Sequence, residues 1–450
     1  MTLFRATLIR LVTLASILLA GSSVGAAPSR QTVAEITIGY SAQGRPITAL
    51  RVGDGPRKLV LVGATHGFPE ANTYQLALQL AEYFRANPQA VPPLVRLYII
   101  PALNPDGIAL GTRFNARGVD LNRNMNTNLD ACPENDWRVT VEGAYGIISD
   151  TGGPYADSEV ESRLVQGFLL DASAVIFYHS NAGSVFPAFC EHAPSIALAQ
   201  AYAEGAGYRY TRYWEPYTIT GGMHDWASSL GIAAITPELL TGDLPEFEQN
   251  LAGVLAVLAR AEELIPELSE VAEGGFAVPA PIWRYWRAHG GAELFGAPLG
   301  PAVTSGALTR QHFERALLEM RQELAETPYY VQPAPLGRQR HEEAAFKGGP
   351  AASCDALPAP CRYFPETGHT LHGVFATFWE RGGGLDVFGF PLTEEFEAIT
   401  ADGQRRTAQR FERAVFAYYP EDGSVRLEPL GWADLIRTGV RAPTLAHQAR

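Results

Sequence analysis

The stretch HGFPEANTY (66–74) places His66 and Glu70 four residues apart, directly after the apolar run KLVLVGAT (58–65). An imidazole and a carboxylate at that spacing can ligate a metal ion. They can equally be a buried histidine beside a glutamate that starts a helix. A second polar group lies in NPDGIALGTRFNARGVDLNRN (104–124), where Arg113, Arg117, Asn122 and Arg123 crowd one loop of an otherwise acidic chain. Pro105 and Asp106-Gly107 make a turn at its start. A guanidinium grips a carboxylate with a planar two-pronged fork, so this loop suits an anionic ligand. The alternative is arginines that are solvated or paired with Asp120. His179 in FYHSNAG (177–183) and Glu238 in ITPELL (235–240) each sit at the end of an apolar run. Beside Ser180 and Asn181, His179 suits an exposed polar pocket. A glutamate closing a buried strand is costly unless it has a purpose.

The elements that must position these residues are legible between about 35 and 265. Strand candidates KLVLVGAT (58–65), VRLYIIPAL (95–103), AVIFYHS (174–180) and AAITPEL (233–239) alternate with helix candidates at 71–84, 159–170 and 246–265. Leu76, Leu80 and Phe84 form one helical stripe, and Leu251, Leu255 and Leu258 another. Buried strands interleaved with helices predict an α/β domain with a mixed, largely parallel sheet flanked by helices. Sites in such sheets form where loops leave the carboxyl ends of strands. His66, Asn104, His179 and Glu238 all fall there.

Taken in order, these segments resemble the zinc carboxypeptidase family, that of carboxypeptidase A. HGFPE resembles its first metal motif, NPDG and GVDLNRN its substrate-carboxylate loop, and FYHSNAG the segment bearing its second ligand histidine. YTITGGMHDW (217–226) is similar to its capping-tyrosine loop, and ITPELL to the strand with its catalytic glutamate. One departure is that His66 and Glu70 have three residues between them where the family usually has two. Pro69 fits the first helical position and Glu70 the turn after it, which would absorb the extra residue.

The resemblance implies one Zn2+ per chain on His66, Glu70 and His179, the two-histidine, one-glutamate set of carboxypeptidase A. It implies Glu238 as general base and Arg113 as oxyanion stabiliser. Asn122 and Arg123 would hold the terminal carboxylate of a peptide substrate, with Tyr217 closing over it and His224 lining the side-chain pocket. A zinc deacylase of N-acyl amino acids, a muropeptide carboxypeptidase and an inactive envelope-binding homologue are the alternatives. The tyrosine loop speaks against the deacylase.

The rest of the chain frames this reading. Its 450 residues exceed one ordinary core. A net charge of −13 argues against nucleic acid or anionic lipid as the partner. Residues 1–27, with Arg5 and Arg10 before LVTLASILLA and small residues after it, predict a signal peptide, hence secretion or an envelope location without stable membrane insertion. In an oxidising compartment four cysteines suggest two disulfides. Three pairings are open, and proximity favours Cys132–Cys190 and Cys354–Cys361. After a linker at 266–281, WRYWRAHGGAELFGAPL (283–299) is echoed by FATFWERGGGLDVFGFPL (375–392), and QHFERALLE (311–319) by QRFERAVFA (409–417). This predicts a smaller, duplicated C-terminal domain over 282–430 and a tail at 431–450. The units resemble Leu-Gly-Phe-Pro-type repeats of bacterial envelope proteins. That implies attachment to cell-envelope glycan, the alternative being a domain that packs on the catalytic half.

Overall fold

Runs of apolar residues with no polar alternation must be covered on both faces, and this requirement sets the architecture. The computed structural model describes residues 32–143, 146–343 and 353–439. The expected signal peptide and residues 440–450 of the expected tail lie outside them. Among the described residues, no helix is long and apolar enough to cross a membrane.

The first half carries one nine-stranded sheet. Its strands are β1 (Val33–Tyr40), β2 (Pro46–Val52), β3 (Arg57–Val62), β4 (Val95–Ile100), β5 (Ala174–Phe177), β6 (His179–Ser180), β7 (Ser184–Pro187), β8 (Arg209–Tyr210) and β9 (Ala233–Leu239). The order is β1-β2-β4-β3-β5-β9-β7-β8, with β6 also pairing to β9. The central strands β4, β3, β5 and β9 run parallel. Antiparallel pairings bring in β2 and β1 on one side and β7 on the other. The fold is therefore α/β with a mixed, largely parallel sheet.

Alternate residues of each central strand enter opposite cores. Leu59, Leu61, Leu97, Ile99 and Ile176 face α1 (Asn72–Ala86), α4 (Ala193–Ala206) and α6 (Phe247–Ala259). Val60, Val62, Tyr98, Ile100 and Val175 face α3 (Val160–Leu169) and α5 (Met223–Ser229). The expected α1 stripe of Leu76, Leu80 and Phe84 is fully buried. In α6 the buried stripe is Leu251, Val254, Val257 and Leu258, with Leu255 at its margin.

The C-terminal part is sheet-rich. A hairpin (Val271–Glu273 with Phe276–Val278), a helix (Ala280–Ala288) and a four-stranded antiparallel sheet spanning 303–333 are followed by a second set in the same order. That set is a hairpin (Cys361–Phe364 with His369–His372), a helix (Gly373–Arg381) and a four-stranded sheet spanning 396–427. Equivalent bonds recur: Trp286 Nε1 donates to Gly296 O (2.9 Å) and Trp379 Nε1 to Gly389 O (3.1 Å). The segment read as a linker thus contains the first hairpin, turned by Gly274 and Gly275 at φ 55° and 83°, where glycine carries no Cβ penalty. The start of the expected tail is a helix, Leu430–Thr438, packed back on the first set, with Trp432 N bonded to Glu314 O (3.1 Å).

Candidate metal centre and substrate pocket

The loops leaving β3, β4, β5 and β9 converge, and two glycines allow it. A Cβ on Gly67 would collide with the backbone of Gly107, so the HGFPE turn presses on the NPDG turn because Gly67 lacks a side chain. A Cβ on Gly107 would strike the Asn104 side chain that caps the same turn. Asn104 caps a short helix, α2 (Pro105–Leu110), by accepting from Gly107 N (2.8 Å). Its own N–H reaches Ala64 O (2.9 Å), fixing the strand end before His66. Glu70 is not in the first turn of α1, which begins two residues later at Asn72. Thr73 N and Oγ1 both bond the Glu70 carbonyl (3.0 and 2.8 Å), so the turn holds Glu70 outside the helix. With three residues between them, the Glu70 carboxylate still returns to the His66 ring.

His66, Glu70 and His179 meet at one point, with one possible ligand atom from each within 4.8 Å of the others. Glu70 Oε1 lies 2.9 Å from His66 Nδ1, and Oε2 lies 3.0 Å from His179 Nδ1. The two Nδ1 atoms are 3.2 Å apart. Two imidazole nitrogens facing one another across a carboxylate form the N,N,O donor set that zinc takes. Burial pushes the pKa of His179 down to about 4, with Glu70 opposing, so at neutral pH its ring offers a lone pair rather than a charge. His179 is buried, not exposed as its polar neighbours suggested.

Asp120 is the residue whose role the sequence left unread. Its Oδ1 lies 2.9 Å from His66 Nε2, and its Oδ2 accepts from Arg113 Nε (2.9 Å). With Nε2 turned to a carboxylate, Nδ1 is the free ligand atom. Burial raises the Asp120 pKa, but Arg113 and His66 outweigh it and hold it well below the usual carboxylate range. Arg113 also bonds Glu70 Oε1, so two of its nitrogens are already committed.

Glu238 stands beside His179 in register between β9 and β6. Burial, then the nearby Glu70 charge, pushes its pKa up to about 8. A dication bound at Glu70 would cancel the second of these causes and return Glu238 toward the carboxylate form. Glu238, Asn122, Tyr217 and His224 line one cavity of about 390 Å³. Asn122 is anchored by Met223 N (2.9 Å to Oδ1) at the start of α5. Arg123 is buried, its Nη1 donates to Asn122 O (2.8 Å), and its guanidinium carbon lies 5.8 Å from the Tyr217 ring centroid. Among the described residues, Arg123 Nε has no hydrogen-bond partner. The His224 ring sits between Thr236 Oγ1 (3.1 Å from Nδ1) and Asp225 Oδ1 (3.4 Å from Nε2). Cys132 is bonded to Cys190 and Cys354 to Cys361.

Residues 26–251 match the sequence pattern of the zinc carboxypeptidase family, half of the chain. This chain belongs to the zinc carboxypeptidase family. Among curated relatives it is similar to mast cell carboxypeptidase A of Rattus norvegicus, 26% identical over 242 residues covering 45% of this chain and 57% of the relative. It is also similar to murein peptide amidase A of Escherichia coli K12, 36% identical over 213 residues, 45% of this chain and 78% of the relative. Among solved structures, bovine thrombin-activatable fibrinolysis inhibitor in complex with tick carboxypeptidase inhibitor aligns at a TM-score of 0.43 and 22% identity, over 51% of this chain and 90% of that one. The chain spans less than two thirds of the rat relative's length. Among zinc carboxypeptidases a His-Glu-His donor set is expected to hold zinc, and here those three side chains are brought together.

Proposed function

We propose that this zinc carboxypeptidase is secreted and removes single residues from peptides with a free C-terminal carboxylate. The observation that carries this reading is the sharing of one pocket by Glu238, Asn122 and Tyr217, with the buried Arg123 against Asn122. His66, Glu70 and His179 would hold the zinc, which when bound acidifies water and polarises a carbonyl. Arg123 and Asn122 bind the substrate carboxylate, a charge-assisted contact made strong by exclusion of water. Tyr217, above Arg123, covers it. Glu238 takes the proton of the attacking water and delivers it to the leaving amine. Arg113 keeps Glu70 and Asp120 in place through Nη1 and Nε and offers its remaining Nη2 to the developing oxyanion.

A second reading has its own support: the 36% identity to murein peptide amidase A favours the peptide stems of the cell wall as substrates. The two C-terminal sets, read as a duplicated module, would then hold the enzyme at the cell envelope, as their resemblance to envelope repeats suggests. The test of the chemistry is Glu238→Gln. We expect one zinc per chain by elemental analysis and unchanged peptide binding, with kcat lower by about 10²–10⁴-fold, the scale of a lost general base. A near-normal kcat would remove Glu238 from the mechanism.

A further inference from the structure

The cavity beyond Glu238 is walled by carboxylates and aromatic rings. Glu134, Glu142, Glu215 and Asp225 line it with Phe189 and Trp214. The one arginine on its lining, Arg212, is paired to Glu191 (2.7 Å). Acidic lining alone is common on an acidic protein, and a second observation sets this pocket apart. Asn135 lines it at 2% exposure, and among the described residues neither its Oδ1 nor its Nδ2 has a hydrogen-bond partner. A buried amide with both ends unpaired is costly, and burial of that kind is normally compensated. The Asn135 backbone is firmly held: its carbonyl accepts from Gly221 N (3.0 Å) and Thr127 Oγ1 (2.6 Å). Three residues away, Cys132 is bonded to Cys190, the chain neighbour of the pocket-lining Phe189. The disulfide thus ties the Asn135 segment to the Phe189 segment. His224 is engaged by Thr236 and Asp225, which leaves Asn135 to offer hydrogen bonds.

In the carboxypeptidase reading this pocket takes the side chain of the substrate's C-terminal residue, and we propose that it selects one ending in a cationic nitrogen, with Asn135 as the specificity-determining residue. A cationic head fits an acidic, aromatic-walled cavity through charge attraction and cation–π contact. Asn135 Oδ1 accepts one of its N–H donors. Lysine and arginine ends share this chemistry, whereas a diaminopimelate end carries a carboxylate beside its ammonium, which the acidic lining opposes. The inference rests on the carboxypeptidase reading and names its substrate class.

The test compares otherwise identical peptides ending in lysine, arginine, meso-diaminopimelate or norleucine, the last having an apolar side chain in place of the ammonium. For the full-length zinc-loaded protein we expect kcat/KM for at least one cationic end to exceed norleucine by about tenfold, the scale of one charged hydrogen bond, expressed mainly in KM. Asn135→Ala should cut the preference at least about threefold, and Asn135→Asp, which keeps the shape and adds an acceptor, should restore it. Equal or better use of norleucine by the wild type overturns the inference while leaving carboxypeptidase action intact, as does a preference that neither variant alters. If no free-carboxylate peptide turns over, the proposed function fails. Calorimetric binding of the lysine and norleucine peptides to Glu238→Gln then decides the pocket separately, and equal affinity, including no binding of either, overturns the inference.

Discussion

At the scale of single residues, the centre is organised by a carboxylate that touches no substrate. Asp120 bridges His66 and Arg113, and Arg113 returns to Glu70, so two ligands and the arginine form one closed set of bonds. Removing the Asp120 charge while keeping its shape should loosen the His66 orientation. We expect Asp120→Asn to weaken zinc binding by about 10–100-fold in a chelator competition, the usual effect of losing a ligand's hydrogen-bonding partner. Unchanged zinc affinity would mean that the histidine is positioned by packing alone. That His66, Glu70 and His179 would come together was legible, because strand ends and a recognisable motif order point to them. Asp120 was legible only as a partner for nearby arginines. Its bond to His66 spans 54 residues and depends on two loops pressed together at Gly67 and Gly107, a contact with no periodic signature in the sequence.

At the scale of elements, the asparagine-arginine loop is tied to α3 by Asp157, whose Oδ1 accepts from Asn126 N (2.8 Å) and Gln166 Nε2 (2.5 Å). Burial pushes the Asp157 pKa up to about 6. A raised carboxyl pKa means the fold prefers the protonated form. Stability associated with it is therefore present near pH 4 and is lost as the pH rises through about 6. Asp157→Asn keeps the accepting oxygen and suits the positive φ of 61°. We expect it to raise stability by about 1–2 kcal/mol at pH 8, allowing for solvent reaching a half-buried group, and to change little at pH 4. Denaturant titrations at the two pH values check this, and a gain that is equal at both would point to a cause other than charge. The four central strands and α1 were readable because their residues are buried in unbroken runs or in one stripe. The helix α4 was not. Its sequence, APSIALAQAYAEGA, is apolar almost all round because the sheet and α6 cover it, and Gly205 and Gly253 let α4 and α6 approach. The edge strand β1 and its neighbour β2 carry no unbroken apolar run like those of the central strands, which hid the true start of the sheet.

At the scale of the whole molecule, the C-terminal part is bound to the end of the sheet opposite the metal centre. Arg284, buried, donates to Leu230 O (3.0 Å), Leu170 O (2.9 Å) and Ala172 O (2.7 Å), just before β9 and β5 begin. Leu170 joins the C-terminal core, and Ala288 joins one core of the sheet. The C-terminal part is therefore in packed contact with the α/β half. Arg284→Ala strips three buried carbonyls of their donor and should destabilise the chain by about 2–4 kcal/mol, read as a lowered Tm with zinc content intact below the transition. A wild-type Tm would show the interface to be replaceable by water. In the proposed exopeptidase reading, Arg123 rather than the metal confines cleavage to a chain end. Its guanidinium is buried, and among the described residues its Nε has no hydrogen-bond partner. The most direct measurement is mass-spectrometric cleavage of one peptide with its C-terminus free or amidated. Release of single C-terminal residues, at least about tenfold faster from the free peptide and with that difference largely erased in Arg123→Ala, is the expected result. Equal cleavage of both peptides by the wild-type protein would contradict the carboxypeptidase reading, even with zinc in place.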